Sequence, residues 1–251
     1  MEIAVKNLKV LDGQHQILAD VNLHVKNRNF IGIIGPNGSG KSTLLKAISR
    51  AIKSESDEIS YDGRDINRLS HKESARLLAC LDQEHEMPFD FQARELIMMG
   101  RYPYKKFFET ENKKDEEIVD WAIDQVGIQQ LQYKNYQHLS GGEKQRVLIA
   151  RMIAQESEIF ILDEPTNHLD ISYQLELFKF LYETDTTVIS AIHDLNIAAR
   201  FCDYLFVMKD GQVFRQGEPE EILTSQTIAE VFNVHVEVIK HPTKSQLVII
   251  Y

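Results

Sequence analysis

The sequence predicts an α/β protein built on a mostly parallel sheet, with an antiparallel β portion at the N-terminus and an α-helical subdomain inserted mid-chain. Three observations carry that expectation. From Phe30 onward, short apolar runs alternate with stretches whose apolar residues recur at helical spacing. Residues 3–25 instead alternate apolar and polar positions around a turn, and between Glu84 and about Asn135 the strand pattern stops altogether.

Each element has its own signal. Residues 3–25 are rich in β-formers on both sides of Asp12-Gly13 and read as an antiparallel hairpin. Phe30 to Ile34 is an apolar run of strand length; glycines follow, and Leu44, Leu45, Ile48 and Ile52 then sit at helical spacing within Ser42–Ile52. Tyr61-Asp62-Gly63 marks a turn, a helical piece begins near Ser70, and Leu77 to Leu81 is a strand. In the insert, Ile118, Trp121, Ala122 and Val126 keep a helical period. The alternation resumes with a helix over Gly141–Gln155, a strand over Ile159–Leu162, a helix over Tyr173–Tyr182, a strand over Thr187–Ala191 and a helix over Leu195–Phe201. A hairpin of Tyr204–Met208 and Val213–Arg215 turns at Lys209-Asp210-Gly211-Gln212. By this division residues 1–84 and 156–220 form a discontinuous core, 85–155 the helical subdomain and 221–251 a C-terminal appendage.

Composition narrows the classes of function. A chain of 251 residues with 43% hydrophobic and 26% charged residues suits one large globular domain, or a core with an embedded subdomain. With 28 Lys and Arg against 38 Asp and Glu the formal charge is -10, which argues against broad contact with nucleic acid. Cys80 and Cys202 are far apart and have no metal-ligand spacing, so they read as reduced, buried thiols. No window reaches the roughly 18 apolar residues of a membrane span, and Met1–Val10 lacks the pattern of a secretory signal.

The chemistry begins at Gly35-Pro36-Asn37-Gly38-Ser39-Gly40-Lys41-Ser42, a P-loop lying between a predicted strand and a predicted helix. Its glycines let backbone N–H groups wrap a phosphate chain, and the start of the following helix favours an anion. Lys41 can reach the β- and γ-phosphates of a nucleotide, and the Ser42 hydroxyl can ligate Mg²⁺. A second metal contact is expected at the C-terminal end of a buried strand, where Ile159-Phe160-Ile161-Leu162 is followed by Asp163 and Glu164. Asp163 is placed to hold the metal; Glu164 can act as general base on a water aligned with the γ-phosphate. Further on, Leu139-Ser140-Gly141-Gly142-Glu143-Lys144-Gln145-Arg146 has the spacing of a capping box, with two glycines leaving helix N–H groups open to a second phosphate contact. The simplest geometry sets that second site against a γ-phosphate held by another copy of the chain.

These motifs, in this order, resemble the ATP-binding cassette (ABC) ATPases, whose signature sequence is similar to Leu139–Gln145 and whose likeness covers essentially the whole chain. The resemblance implies a P-loop NTPase core, ATP and Mg²⁺ as cofactors, and nucleotide contacts from Gly35 through Thr43, from Ser140, Gly141 and Gly142, and from Asp170. It implies that Gln83 joins metal and γ-phosphate to the helical subdomain, that Asn167-His168-Leu169-Asp170 crosses to the partner subunit, and that His193 contacts the γ-phosphate. Where this family commonly stacks an aromatic ring on the adenine, the chain has Asp12 between Leu11 and Gly13; His15 or apolar backbone is left to receive the base.

Met87-Pro88-Phe89 and Gly100-Arg101-Tyr102-Pro103-Tyr104 put aromatic and proline residues where a solvated insert would carry charge, which reads equally as an exposed docking surface or as an internal satellite core. Together with Gly217–Val234 they are similar to the ATPases of importers for iron-siderophore complexes, haem or cobalamin. The resemblance implies a homodimer powering import through a separate integral membrane permease, fed by an extracytoplasmic substrate-binding protein, with no nucleic acid partner. The chain would then lie peripherally on the cytoplasmic face of the cell membrane. The rival readings are an ABC ATPase for another cargo, a soluble ABC ATPase acting on ribosomes or DNA, and a P-loop kinase.

Overall fold

The computed structural model describes residues 2–26, 30–82, 90–106, 109–166, 169–241 and 246–251. Its elements follow the predicted order: β1 (Glu2–Asp12), β2 (His15–Lys26), β3 (Phe30–Ile34), α1 (Lys41–Ile48), β4 (Glu58–Tyr61), β5 (Arg64–Asp65), α2 (His71–Leu77) and β6 (Leu78–Leu81). The insert supplies α3 (Ala93–Met98), a 3₁₀ stretch over Met99–Tyr104 and α4 (Lys113–Gln125), and α5 (Gly141–Ala154) follows. Then come β7 (Ile159–Asp163), α6 (Ile171–Glu183), β8 (Thr187–Ala191), α7 (Leu195–Phe201), β9 (Tyr204–Lys209) and β10 (Gln212–Gly217). The appendage holds α8 (Pro219–Ile222), α9 (Ser225–Phe232), β11 (Glu237–Lys240) and β12 (Leu247–Ile250).

Two sheets face each other across α1. One is antiparallel, in the order β2-β1-β4-β5; the other has six strands in the order β10-β9-β3-β8-β7-β6, with β9 and β10 antiparallel and the remaining neighbours parallel. Phe30–Ile34, Ile159–Asp163 and Thr187–Ala191 are buried along their whole length, as expected of central strands covered on both faces. One apolar core fills the space between the sheets and around α1, using Val5, Leu18, Leu44 and Ile161; a second lies under the other face and continues into α3, α4 and α5. On that side Phe178 of α6 lies between Phe30 and Phe201, with ring centroids 6.0 and 5.7 Å apart.

Register decides where the chemistry can sit. Ile33 of β3 pairs with Ala191 of β8, which pairs with Asp163 of β7. The C-terminal ends of three central strands are therefore level, so Gly35, Glu164 and His193 leave the sheet along one edge.

Two helix boundaries differ from expectation by two residues or more. The first helix stops at Ile48 rather than Ile52, because Arg50 turns into the left-handed region (φ 63) and its guanidinium donates to the carbonyls of Ile66 and Leu69 at 3.0 and 2.7 Å. The helix predicted from Tyr173 begins at Ile171, because the Asp170 carboxylate caps it, accepting from the Tyr173 N–H at 3.1 Å. The Gly100–Tyr104 segment is also less of a surface than its composition suggests. Gly100 and Arg101 are buried, and a Cβ on Gly100 would lie 2.5 Å from the Arg151 carbonyl. Arg101 bonds Asp115, Glu156 and the Ala154 carbonyl, and stacks 4.4 Å from the Tyr104 ring centre; Tyr102 does face solvent. Met87-Pro88-Phe89 lies outside the described residues. Among the described residues no helix is long and apolar enough to cross a membrane.

Candidate active site: two anion-binding clefts

The loop after β3 builds the first cleft. Gly40 is the N-cap of α1 and adopts φ 98, where a Cβ would also press to 2.7 Å from Leu18 Cδ2, so glycine is required on two counts. No side chain caps this helix, which leaves its first N–H groups open to an anion. Behind the loop, Ser39 is buried and its N–H donates to the Pro36 carbonyl at 3.2 Å. The Lys41 ammonium, also buried, donates to the Gly35 and Pro36 carbonyls at 2.9 and 3.1 Å. Burial pulls its pKa below the ordinary lysine value, while Glu164 and Asp163 work in the opposite sense. A phosphate chain would give this ammonium stronger acceptors than two carbonyls.

The carboxylates stand opposite. Ser42 Oγ donates to Asp163 Oδ1 at 3.0 Å, while Asp163 Oδ2 is buried with no hydrogen-bond partner. Burial raises the Asp163 pKa, partly offset by the Ser42 bond. A buried carboxylate oxygen without a donor is costly, and a divalent cation beside Ser42 would supply its missing partner. Among the described residues no three His, Cys, Asp or Glu side chains gather to form a complete cage. A hydroxyl and one carboxylate suit Mg²⁺, which keeps several waters and takes the rest of its ligands from substrate phosphates. Glu164, one residue on, leaves the strand with φ 49 and its side chain meets His193 Nε2. Ile17, Asn37, Gly38, Gly40, Lys41, Ser42, Thr43, Glu164 and His193 together line a cleft of about 420 Å³.

A second cleft, of about 470 Å³, opens at the start of α5 between Ser140, Gly141, Gly142 and Glu143 on one side and Leu169, Asp170 and Tyr173 on the other. The capping box is formed: the Ser140 N–H donates to Glu143 at 2.8 Å and the Glu143 N–H to Ser140 Oγ at 3.4 Å. The Arg146 guanidinium lies 4.3 Å over the Tyr173 ring and walls the cleft. The two clefts have no lining residue in common. Gln83, Asn167 and His168 lie outside the described residues, and Asp170 is exposed beside the second cleft rather than the first.

Sequence reasoning missed Ile17 and Gly211. The register between Val10–Leu18 and Leu11–Gln16 leaves Ile17 as the extra residue of a β-bulge, which no alternation pattern marks. Gly211, read only as a turn residue, donates its N–H to the Ser39 carbonyl at 3.1 Å and accepts from the Ala19 N–H at 3.0 Å, tying the P-loop to the N-terminal sheet.

The family profile described as ABC transporter matches residues 18–167. The chain belongs to the ABC transporter family. It is 39% identical over 231 residues to the petrobactin import ATP-binding protein of Bacillus anthracis, covering 90% of this chain and 85% of that one. To the iron(3+)-hydroxamate import ATP-binding protein of Bacillus subtilis it is 35% identical over 244 residues, covering 96% and 91%. A bacterial ABC transporter cassette solved as a dimer superposes with a TM-score of 0.75 at 29% identity, covering 86% of this chain and 98% of that one. As a member of this family the chain is an ABC ATPase.

Proposed function

We propose that the chain is the ATPase subunit of an importer for an iron-siderophore, haem or cobalamin-type cargo, acting peripherally on the cytoplasmic face of the membrane through a separate permease. The cargo class rests on the relatives named for petrobactin and iron(3+)-hydroxamate import. In the proposed site Gly35, Pro36, Asn37, Gly38, Ser39, Gly40, Lys41, Ser42 and Thr43 cradle the phosphates of ATP. Ser42 and Asp163, joined by Gln83, hold Mg²⁺, which when bound neutralises charge developing on the phosphates. Glu164 accepts a proton from the attacking water, and His193, already in contact with Glu164, turns to the γ-phosphate. An extracytoplasmic binding protein would deliver cargo to the permease.

One observation carries the dimer. Each chain presents two helix starts suited to phosphate, α1 and α5, in clefts that share no residue, so one phosphate chain does not fill both within a single copy. A second copy brings its Ser140, Gly141 and Gly142, with Asp170 nearby, against the nucleotide held by the first. The solvent-facing ring of Tyr102 and the partly buried Phe91, Met98 and Met99 line a cleft of about 420 Å³ on the helical insert that suits an amphipathic permease segment.

The test is Glu164→Gln. It should bind MgATP normally, lose turnover by about 10²- to 10⁴-fold, the usual worth of a general base, and sediment as a dimer with MgATP but a monomer without it. A variant that turns over at the wild-type rate removes Glu164 from its role; one that stays monomeric with bound MgATP removes the shared site.

A further inference from the structure

We propose that a cavity behind the second cleft is a binding site for a free α-amino acid with a large apolar side chain, leucine or one of similar bulk. The cavity, of about 210 Å³, lies where the C-terminal end of α4 meets α5 and α6. Its hydrocarbon surface is assembled from all three helices and the loop before α6. Ile149 of α5 and Leu177 of α6 are buried, while Val126, Leu169 and Phe180 are partly buried and pack on the same core. An apolar cavity of about 150 Å³ already accepts a benzene-sized molecule, so this one has room for a side chain of roughly four to six carbons. Arg146, Leu169 and Tyr173 line the second cleft as well, so the two cavities stand back to back, and no residue is shared with the P-loop cleft.

The charged residues of the lining select the ligand. The Arg146 guanidinium stacks 4.3 Å over the Tyr173 ring, yet among the described residues it has no hydrogen-bond acceptor and no ion pair. Glu176 is exposed on α6 and likewise has no bonded partner among the described residues. Asp124 accepts from the Gln129 amide at 2.7 Å but forms no ion pair among them. One guanidinium fork and two carboxylates around a hydrocarbon floor are complementary to a molecule with one carboxylate, one ammonium and an apolar body. A fatty acid would bring its charge up to two like charges, and an alkylamine would leave the guanidinium without an acceptor. An α-amino acid carries both groups on the carbon that bears its side chain, and so meets all three demands at once.

The test is calorimetric titration of the full-length chain, without nucleotide, with leucine, leucinamide, 4-methylpentanoate, glycine and aspartate. Leucine should bind with a Kd of about 1 mM or tighter, the range open to so small a ligand. Leucinamide lacks the carboxylate and should bind at least about tenfold more weakly. 4-Methylpentanoate lacks the ammonium and should bind about fivefold more weakly, the smaller loss reflecting the exposure of Asp124 and Glu176. Glycine and aspartate should not bind. Val126→Phe, which fills the cavity without altering charge, should abolish leucine binding. The double variant Asp124→Asn with Glu176→Gln should weaken leucine by about fivefold and leave 4-methylpentanoate no weaker than in the wild type. Both of its substitutions are on exposed residues, so it decides the matter if Val126→Phe loses binding by unfolding, which thermal melts would show. Absence of saturable leucine binding, equal binding of glycine or aspartate, or a double variant that holds leucine as tightly as the wild type would overturn the site. Those failures leave the ATPase reading standing, because no nucleotide is present; a chain that binds leucine but not MgATP overturns that reading alone.

Discussion

Gly211→Ala is the perturbation whose size the structure sets most directly. Gly211 has φ 75, and an added Cβ would stand 2.2 Å from the Ile17 carbonyl and 3.2 Å from its carbon, both backbone atoms that cannot rotate away. The left-handed conformation alone costs a non-glycine residue about 1 kcal/mol. Relieving the clash separates the β9–β10 turn from β2, which strains or breaks the 3.0 Å bond from the Ala19 N–H and the 3.1 Å bond to the Ser39 carbonyl. Each is worth about 1 kcal/mol, so the total comes to roughly 2–4 kcal/mol. For a protein of this size that is a fall in Tm of roughly 5–15 °C. Gly63→Ala is the control: its φ is 73 but nothing lies within 4 Å of the added carbon, so only the conformational part, about 1 kcal/mol, should appear. Urea denaturation and thermal melts of the two variants separate the contributions, and MgATP titration should show weaker binding for Gly211→Ala alone, since only that turn holds the P-loop. Equal destabilisation of the two variants would refute the claim that close approach, rather than φ, makes glycine necessary at 211.

Lys41→Ala should lower MgATP affinity by at least about tenfold, the value of one charge-assisted contact to phosphate, with little loss of stability because the buried ammonium is desolvated in the free protein. Equilibrium dialysis checks the affinity. Asp115→Asn removes the carboxylate between Arg101 and Lys105, three side chains at most 10% exposed, and should cost about 3 kcal/mol in urea denaturation because Lys105 loses its carboxylate while Arg101 keeps only Glu156. The Ser140 backbone N–H holds the Glu143 pKa below its ordinary value of 4.5. Its contribution is complete above that value and is lost as pH falls through the lower folded-state pKa, so Glu143→Gln should flatten the acid limb of the stability curve measured between neutral and acid buffers.

The sequence disclosed the central strands and the motifs on their ends because both have local causes. Phe30–Ile34 and Thr187–Ala191 are largely apolar runs of strand length, and the structure starts and stops the strands at those residues. Ser70 and Ser140 announce their helices by a glutamate three residues later, and both capping boxes form. The failures have non-local causes. Arg50 ends α1 early because its guanidinium finds carbonyls at Ile66 and Leu69, beyond any helical window. Arg101 turned from surface to interior because its partners, Asp115 and Glu156, lie far along the chain. Ile17 was invisible for a different reason: a bulge adds one residue without changing composition, so the strand still reads as alternating while one side chain is redirected.

The two clefts, although they share no residue, are joined by a short stretch of backbone. Glu164 lines the first, while Leu169 and Asp170, five and six residues later, line the second. Gln145 of α5 donates from its amide to the Pro165 carbonyl at 2.9 Å, directly after Glu164, and Gln174 of α6 donates to the Thr166 and Leu169 carbonyls at 3.3 and 3.2 Å. The helix that presents Ser140, Gly141 and Gly142 thus holds the backbone directly after Glu164, the proposed general base. In the proposed dimer, a phosphate drawn to that helix start from another copy would act on the helix that bonds the chain next to Glu164, and Glu164 in turn is in contact with His193. Closure of the shared site and alignment of Glu164 would therefore be one mechanical event in that dimer, which would give a physical reason for hydrolysis to wait until both copies are engaged.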